Sequence, residues 1–388
     1  MPASAAGVEG GGPRRASPRS VFAARARVLR PMVNMAMVSE LVITAVLCAS
    51  VATCIMLDAA SIYKVLQKIR LYVYGALLMV FGRDKRWTRR PLDTATLAAL
   101  GPTKTKRIIF IRHGESEWNL IFNKGPKPLL PFKAILGLVR EIKMFFALDM
   151  GSVLYDSPLN QEGLEQAQEL ASLLRGDADW GDVPDPAQRD ADAATLRGGA
   201  DAPLSSVVAS SNLRRALQTC VLALQARVGA KRAEDRVHVL NCLQEVSTNI
   251  DTISLVPPGA LPQLPRVPAA LQAPESFDLT MQGGNKNVRA YGQQRLDAFA
   301  EWAFTRPEDC VIVAGHSLFF QYFFKEYLPS DVDHVSKKFK VANGGIVACV
   351  LEKGQLSTGR EVLAVKPESI ATVHKGFDLK KKTKEKKA

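Results

Sequence analysis

Two histidines in this sequence stand directly after runs of residues that are typical of buried strands. His113 follows the β-branched and aromatic run 105–111, and His316 follows the apolar run 311–315. In open α/β sheets, ligands bind beyond the carboxyl ends of the strands, near helix N-termini that suit anions. The pattern predicts that both imidazoles serve one anion-binding site, and phosphate is the natural ligand.

Two arginines accompany the histidines. Arg112 directly precedes His113, and Arg215 follows a second predicted strand, residues 207–211. A guanidinium group is planar and permanently charged, and it binds phosphoryl oxygens through paired hydrogen bonds. Two such groups should lower the pKa of His113, because a third positive charge is disfavoured beside them. The residue types therefore predict that neutral His113 attacks phosphorus and carries the phosphoryl group.

Other residues have candidate roles in the same reaction. His316 would donate to the equatorial oxygens and stabilise the charge on the phosphoryl group in transit. Glu245 would protonate the leaving oxygen and later deprotonate the attacking water, a contribution of ~10²- to 10⁴-fold. Ser116, Asn119 and the backbone N–H groups after His113 would complete the phosphate cradle. The predicted reaction needs no metal and no organic cofactor.

Each of these residues also has an ordinary structural interpretation. A single histidine at a strand end is more often a hydrogen-bonded structural group than a catalyst, and an isolated glutamate is usually solvated. The combination with two arginines favours catalysis. Three further histidines match no catalytic pattern and are interpreted as structural or exposed: His238, His334 and His374.

The segment 112–119, Arg-His-Gly-Glu-Ser-Glu-Trp-Asn, resembles the signature of the histidine phosphatase superfamily, which includes the cofactor-dependent phosphoglycerate mutases. Residues 156–170 resemble the family pattern D-x-P-L-x-x-x-G-x-x-Q-A-x-x-L. Residues 211–219 are similar to its S-P-L-x-R-A-x-Q-T, with Asn212 in place of Pro and Arg215 as the aligned arginine. Residues 315–317, Gly-His-Ser, resemble its second histidine motif. The four segments occur in order within residues 105–350.

This resemblance implies a three-layer α/β/α fold of the phosphoglycerate mutase-like type, with a mostly parallel central sheet and a possible antiparallel edge strand. It also implies that Glu245, thirty residues after Arg215, is the proton donor. The mutases' Gly-Trp-x-Asp and Arg-His-Tyr are missing, although residues 283–286, Gly-Gly-Asn-Lys, resemble a mutase-like G-x-N-K. A phosphatase is therefore expected, with mutase-type transfer as the alternative. A second alternative is an inactive membrane scaffold that binds phosphorylated partners.

The run 41–57 contains seventeen residues without a charge. As a helix rising ~1.5 Å per residue it would span ~25 Å, so we expect a transmembrane helix in a locally thinned bilayer. A buried helix is the alternative. The apolar stretch 71–81 is too short to span alone and is predicted to be an interfacial helix or the returning arm of a hairpin. If the two apolar stretches form a hairpin, the Arg-rich flanks at both ends, including residues 83–90, would lie on the cytosolic side together with the catalytic domain.

The predicted organisation has five parts: a basic disordered N-terminus, 1–40; a membrane-associated segment, 41–82; a basic linker, 83–104; a histidine phosphatase domain, 105–366; and a Lys-rich tail, 367–388. The N-terminus resembles a transit peptide in composition, whereas the tail resembles an endoplasmic-reticulum retrieval signal. The sequence therefore leaves a mitochondrial membrane and the endoplasmic reticulum as alternative locations. Within the domain, residues 123–150 predict an amphipathic helix over the pocket mouth or on the membrane. Residues 176–202 predict a disordered loop, and the Pro-rich residues 256–274 predict an irregular excursion.

Most of the net charge of +13 belongs to the two ends of the chain. Residues 1–40 contain six Arg and two Glu, and residues 375–388 contain seven Lys, one Asp and one Glu. Charge runs without interleaved aromatics or a binding module argue against nucleic acid as a partner. The six cysteines lack the spacing of a metal site or disulfide framework. The expected partners are a phosphorylated small molecule or phosphoprotein and a membrane.

Overall fold

The computed structural model describes residues 40, 41, 44–46, 48 and 58–379 of the chain. The chain divides into two compact units, residues 1–64 and 65–388. In the first unit, the described residues before position 58 are helical. The second unit contains the sheet and the candidate site.

An eight-stranded sheet forms the centre of the second unit in the described part of the chain. Its strands are β1 (Gly101–Arg112), β2 (Ser206–Ser211), β3 (Val237–Leu240), β4 (Phe277–Asp278), β5 (Cys310–Gly315), β6 (Ile346–Gln355), β7 (Glu361–Val365) and β8 (Ala371–His374). The spatial order is β4-β3-β2-β5-β1-β6-β7, and β8 pairs with β6. Strands β1 to β5 run parallel, whereas β6 is antiparallel to β1, β7 and β8.

Helices connect and cover the strands. They are α1 (Ala59–Phe81), α2 (Thr94–Ala98), α3 (Glu117–Phe122), α4 (Leu130–Phe146), α5 (Gln161–Arg175), α6 (Pro186–Arg197), α7 (Arg214–Ala223), α8 (Gln225–Gly229), α9 (Gly292–Thr305), α10 (Ser317–Tyr327) and α11 (Val335–Lys338). Short 3-10 helices occupy Lys127–Leu129, Ala233–Asp235, Asn241–Leu243, Ile250–Thr252, Ala269–Gln272, Pro274–Ser276 and Pro367–Ser369.

Both faces of the sheet are buried. In β1, Ile109 and Ile111 pack with α5 and α7, whereas Ile108 and Phe110 pack with α9 and α10. Successive side chains of a strand point to opposite faces, so an unbroken apolar run is expected in a strand covered on both sides. The prediction of a mixed α/β fold with a central sheet and helices on both sides is confirmed.

The predicted membrane-associated segment is described only in part. The predicted transmembrane helix, 41–57, lies largely outside the described residues. The apolar stretch 71–81 forms the C-terminal half of α1, which begins at Ala59, and its Leu78 packs against Tyr155 and Ile253. Among the helices of the described residues, none combines the length and apolar character that crossing a bilayer requires.

The predicted disordered loop at 176–202 is wrong in its middle, where α6 forms. The side chain of Asp185 caps α6 by accepting from the N–H of Gln188, and Pro186 occupies the first turn. Asp192 is buried and forms an ion pair with Arg107 of β1 over 2.6 Å. Because polar contacts hold this helix and few of its buried side chains are apolar, its composition resembles that of a loop.

Several other segments are placed by the structure. Within the predicted linker, Asp84 is buried and pairs with Arg295 and Lys286. Strand β1 begins at Gly101, and β8 lies inside the predicted Lys-rich tail. The segment 123–150 contains α4. Residues 256–274 are irregular except for a short 3-10 helix that begins at Ala269.

Candidate active site

His113 is the first residue after β1, at the edge of the sheet where the parallel strands end. Its backbone N–H donates to the carbonyl of Gly315, the last residue of β5, over 3.0 Å. Its Nδ1 lies 2.6 Å from the carbonyl oxygen of Gly114. Because a carbonyl oxygen only accepts, we assign the proton to Nδ1, and the lone pair of the neutral ring is then on Nε2.

His316 follows β5 in the same way and lies beside His113. The centroids of the two imidazole rings are 5.1 Å apart, with 60° between the ring planes. The Nε2 of His316 lies 2.9 Å from the hydroxyl oxygen of Ser211, the last residue of β2. Its Nδ1 is buried and has no hydrogen-bond partner among the described residues. One ring nitrogen of His316 is thus available to a ligand.

The two predicted arginines reach the same place from different elements. Arg112, at the end of β1, donates from Nη1 to the carbonyl of Val341 over 2.6 Å, and its Nε has no partner among the described residues. Arg215, in the first turn of α7, donates from Nη1 to the carbonyl of Asp251 over 2.8 Å. The neighbouring Arg214 instead donates to the carbonyl of Asp156 and lies outside the cavity lining.

Glu245 is held at the N-terminus of α10. One of its carboxylate oxygens accepts a hydrogen bond from the backbone N–H of Phe319 over 2.9 Å. The first N–H groups of a helix have no partner within it and carry partial positive charge, so a carboxylate is a favourable acceptor there. This contact holds the side chain of Glu245, which comes from the loop after β3, against the first turn of α10, the helix that begins directly after His316.

The predicted site residues border one cavity of about 650 Å³. Six of the seven line it: Arg112, His113, Ser116, Asn119, Arg215 and Glu245. The seventh, His316, is completely buried behind His113. The hydroxyl of Ser116 accepts from the N–H of Asn119 over 3.3 Å and caps α3, so Ser116 has a structural task at the cavity wall.

The remaining residues of the motifs support the loop that carries His113. Gly163 of α5 lies so close to this loop that a Cβ atom would be 2.0 Å from the carbonyl oxygen of Glu115. Gln166 accepts from the N–H of Glu115 over 2.8 Å. Thr219 accepts from the N–H of Gly114 over 3.1 Å. Helices α5 and α7 thus hold the loop that follows His113, and this explains the spacing of the motif residues in the sequence.

Burial controls the protonation of both imidazoles. Burial lowers the pKa of His113 well below its ordinary value, and the charges of Arg215 and Arg112 lower it further. Burial likewise lowers the pKa of His316 well below its ordinary value, and the charge of Arg215 lowers it further. Both rings are therefore neutral at pH 7. The prediction named the arginine charges alone, because the burial of a ring is not visible in a sequence.

Two charged residues of the site were not predicted. Asp251 lies 3.4 Å from Nη2 of Arg215 and lines the cavity, and burial raises the pKa of its carboxyl group. Lys286 is buried beside the Glu245 loop, where burial lowers the pKa of its amino group to about 8. Lys286 is the last residue of the Gly-Gly-Asn-Lys segment, 283–286, that resembles a mutase-like G-x-N-K. No signal in the sequence marks Asp251.

Lys286 is the centre of a buried polar cluster. Its amino group donates to the backbone carbonyls of Glu245 and Ser247, over 2.7 and 2.6 Å, and to the hydroxyl of Thr252 over 3.0 Å. It also forms an ion pair with Asp84 over 3.0 Å, and Arg295 pairs with the other oxygen of Asp84. The cluster fixes the backbone on both sides of Glu245's side chain.

Comparisons with known proteins find weak structural similarity and no match to a family model or to a curated protein. One similar solved structure is the alpha-ribazole phosphatase from Shigella flexneri, with 14% identity over 71% of this chain and 99% of that chain, at a TM-score of 0.32. Another is a mycobacterial glucosyl-3-phosphoglycerate phosphatase, with 16% identity over 68% and 98%, at 0.33. These low TM-scores show only a weak structural similarity.

Proposed function

We propose that the chain is a phosphatase that hydrolyses phosphate monoesters through a phosphohistidine intermediate at His113. The observation that carries the proposal is the contact between Nδ1 of His113 and the carbonyl of Gly114. This contact fixes the tautomer whose Nε2 is nucleophilic, and the lowered pKa keeps the ring neutral. A buried histidine held as a structural donor would not need two arginines and a second neutral histidine beside it.

The groups around His113 suit a phosphoryl dianion. Arg112 and Arg215 supply positive charge, and Arg112 Nε and His316 Nδ1 are buried nitrogens without a partner among the described residues. We assign the Ser211 hydroxyl as the donor to Nε2 of His316, so that Nδ1 carries the ring proton and is a donor like Arg112 Nε. Buried polar groups are normally hydrogen-bonded, since an unpaired one costs about 1–3 kcal/mol. A bound phosphoryl group would supply both missing acceptors.

In the first step, Nε2 of His113 attacks phosphorus, and the bond from phosphorus to the leaving oxygen breaks. Protonated Glu245 donates its proton to that oxygen, so the alcohol departs neutral. In the second step, the Glu245 carboxylate takes a proton from water, whose oxygen attacks phosphorus. The bond between phosphorus and Nε2 then breaks and inorganic phosphate leaves, with His113 and Glu245 restored to their starting states.

Hydrolysis is favoured over mutase-type transfer by the character of the cavity. A mutase has to keep water away from its phosphorylated intermediate. The cavity here is lined mainly by charged and polar side chains, and Lys124 at its wall has 48% of its side chain exposed. Water therefore reaches the site, and release of inorganic phosphate is the expected outcome.

The experiment that tests the proposal is incubation of the purified full chain with an aryl phosphate and with a radiolabelled phosphate monoester. We expect acid-labile label and product release with the wild-type chain, and neither with His113→Ala. The matched control is His238→Ala, because His238 lies beside Asp278, away from the cavity lining. Unchanged turnover in His113→Ala would refute the proposal, and phosphopeptide binding without any turnover would favour the scaffold alternative.

Substrate and location are also proposals. We propose a phosphorylated small molecule or a phosphoprotein as substrate, and attachment to a membrane through residues 41–57 with the catalytic unit in the cytosol. The first part is tested by turnover of a panel of phosphorylated compounds. The second is tested by alkaline extraction of membranes and by protease protection of the catalytic unit in sealed vesicles.

A further inference from the structure

Two neighbouring helices carry most of the exposed large apolar side chains of the second unit. Seven lie in α1 from Leu66 onward, and nine lie between Leu129 and Phe146, in α4 and the turn before it. Elsewhere in the described chain after Phe81, only four more are found: Leu120, Met281, Val335 and Leu379. Single exposed apolar residues are normal, whereas a concentration of this kind marks an interaction surface.

The exposed residues follow helical spacing, so each helix has an exposed apolar stripe. In α1 the stripe consists of Leu66, Ile69, Val73, Leu77 and Val80. In α4 it consists of Phe132, Ile135, Leu136, Val139 and Phe146. Positions three and four apart lie on one side of a helix. We call these ten residues together the α1–α4 face.

The two helices contact each other at Tyr72 of α1, which meets the last turns of α4. The hydroxyl of Tyr72 in α1 donates to Glu141 in α4 over 3.0 Å, and the rings of Tyr72 and Phe145 have centroids 6.3 Å apart. Glu141 is buried and accepts a further hydrogen bond from Ser152 over 2.7 Å. Because the polar contacts point inward, the apolar stripes of both helices are left on the outside.

The exposed charges on these two helices are all positive. From Val65 onward, the exposed ionisable residues within α1 and α4 are Arg70, Arg140 and Lys143, whereas the one acid of α4, Glu141, is buried. Arg83, Lys85 and Arg86 follow α1 directly and are also exposed. Phenylalanine and leucine on one side of a helix, flanked by exposed basic residues, form the pattern of a helix lying in the interface of an anionic bilayer.

We propose that the α1–α4 face lies in the interfacial layer of an anionic lipid bilayer. The charge pattern favours an anionic lipid surface, since an apolar protein partner would not require flanks in which exposed basic residues outnumber the exposed acids Asp58 and Asp149. The position of α1 in the chain agrees with a lipid bilayer as the partner, because α1 begins two residues after the uncharged run 41–57, the proposed membrane segment. The proposal concerns a surface of the folded unit and is independent of the phosphatase reaction.

The cavity mouth adjoins the same surface. Trp118 and Asn119 of α3 line the cavity, and α3 packs on α4 through Ile121 against Gly137. Arg140 of α4 lies 3.4 Å from Glu117 of α3. A bilayer on the α1–α4 face would therefore lie about one helix diameter, ~10 Å, from the rim of the cavity.

The test measures the surroundings of individual side chains in the full chain bound to vesicles. An environment-sensitive fluorophore is attached to the variants V80C, F132C and F146C, in a background where Cys48 and Cys54 are replaced by Ser. The other cysteines are buried or nearly so. The vesicles contain phosphatidylserine and phosphatidylcholine, with the phosphatidylcholine either ordinary or brominated on its acyl chains. Circular dichroism melting establishes that each labelled variant is folded.

The matched control is M281C, because Met281 is 52% exposed but lies outside both helices. We expect a roughly two-fold loss of emission in brominated vesicles for the three test positions, since an interfacial helix buries its apolar side about 5–10 Å deep. No loss is expected for M281C. Emission that is blue-shifted but not quenched by bromine would show that protein covers the surface. That result, solvent-like emission, or failure of the chain to bind vesicles would each overturn the proposal.

Discussion

Lys286 is the most informative residue to replace, because it touches no substrate in the proposed reaction and yet holds the backbone around the proton donor. The variant Lys286→Met removes the contacts to the carbonyls of Glu245 and Ser247 and to Thr252. It also leaves Asp84 with Arg295 as its remaining ionic partner. Each buried carbonyl that loses its donor costs about 1–3 kcal/mol.

We therefore expect the free energy of unfolding of Lys286→Met to fall by about 2–6 kcal/mol, because two carbonyls lose their donor while Asp84 keeps Arg295 as its ionic partner. We also expect kcat to fall about 100-fold with little change in KM, since a displacement near 1 Å of a catalytic group has an effect of this size. The loss should depend on the leaving group. A phenyl ester needs the proton from Glu245, whereas a dinitrophenyl ester leaves without one. The burst of aryl alcohol should thus slow strongly for the first ester and little for the second.

The matched control is Lys106→Met, because the buried Lys106 also donates to two backbone carbonyls, those of Arg306 and Glu308, at the opposite end of the sheet. This variant should lose stability and retain its kcat. The measurements are denaturant unfolding and rapid-mixing kinetics with both esters. An equal slowing with both esters, or the same loss of kcat in Lys106→Met, would refute the positioning role of Lys286.

Four further predictions concern charge. The acid limb of kcat/KM should lie well below pH 6.5, because burial and the two arginines lower the pKa of His113; a limb near 6.5 would contradict this. Since the unfolded chain binds protons at both histidines below about pH 6.5 and the folded chain does so only at lower pH, stability should fall as pH decreases through that range. The variant Arg215→Lys should lower kcat/KM by about 100-fold, because an ammonium group replaces two parallel hydrogen bonds with a point charge; an effect under three-fold in steady-state assays would argue against bidentate binding. Asp192→Ala should cost about 3–5 kcal/mol in thermal unfolding with unchanged kcat/KM, since it leaves Arg107 buried and unpaired.

The residues that could be predicted are those tied to regular elements. Parallel strands end at one edge of a sheet, so two histidines that each follow a buried strand are expected to meet, and His113 and His316 do. Arg112 could be expected there for the same reason, since it stands at the end of a strand, whereas Glu245 was predicted only through the family resemblance. Periodicity and strand ends therefore carry most of the information about the site.

The residues that could not be predicted are polar groups brought in by loops and by distant parts of the chain. Asp84 is 202 residues from its partner Lys286, and neither lies in a periodic element that would bring them together. Asp251 approaches Arg215 from a 3-10 helix. The helix at Pro186–Arg197 depends on a capping aspartate and a buried ion pair more than on an apolar stripe. Contacts of this kind follow from the folded backbone and leave no local pattern.

The most direct test of the central claim is to locate the phosphoryl group in the trapped intermediate. The chain is mixed with a phosphate monoester, quenched in alkali, where a phosphoramidate survives, and digested for mass spectrometry and phosphorus NMR. The proposed reaction predicts one phosphorylated residue, His113, with phosphorus bonded to Nε2. Phosphate on another residue, on Nδ1, or on no residue during steady turnover would contradict it.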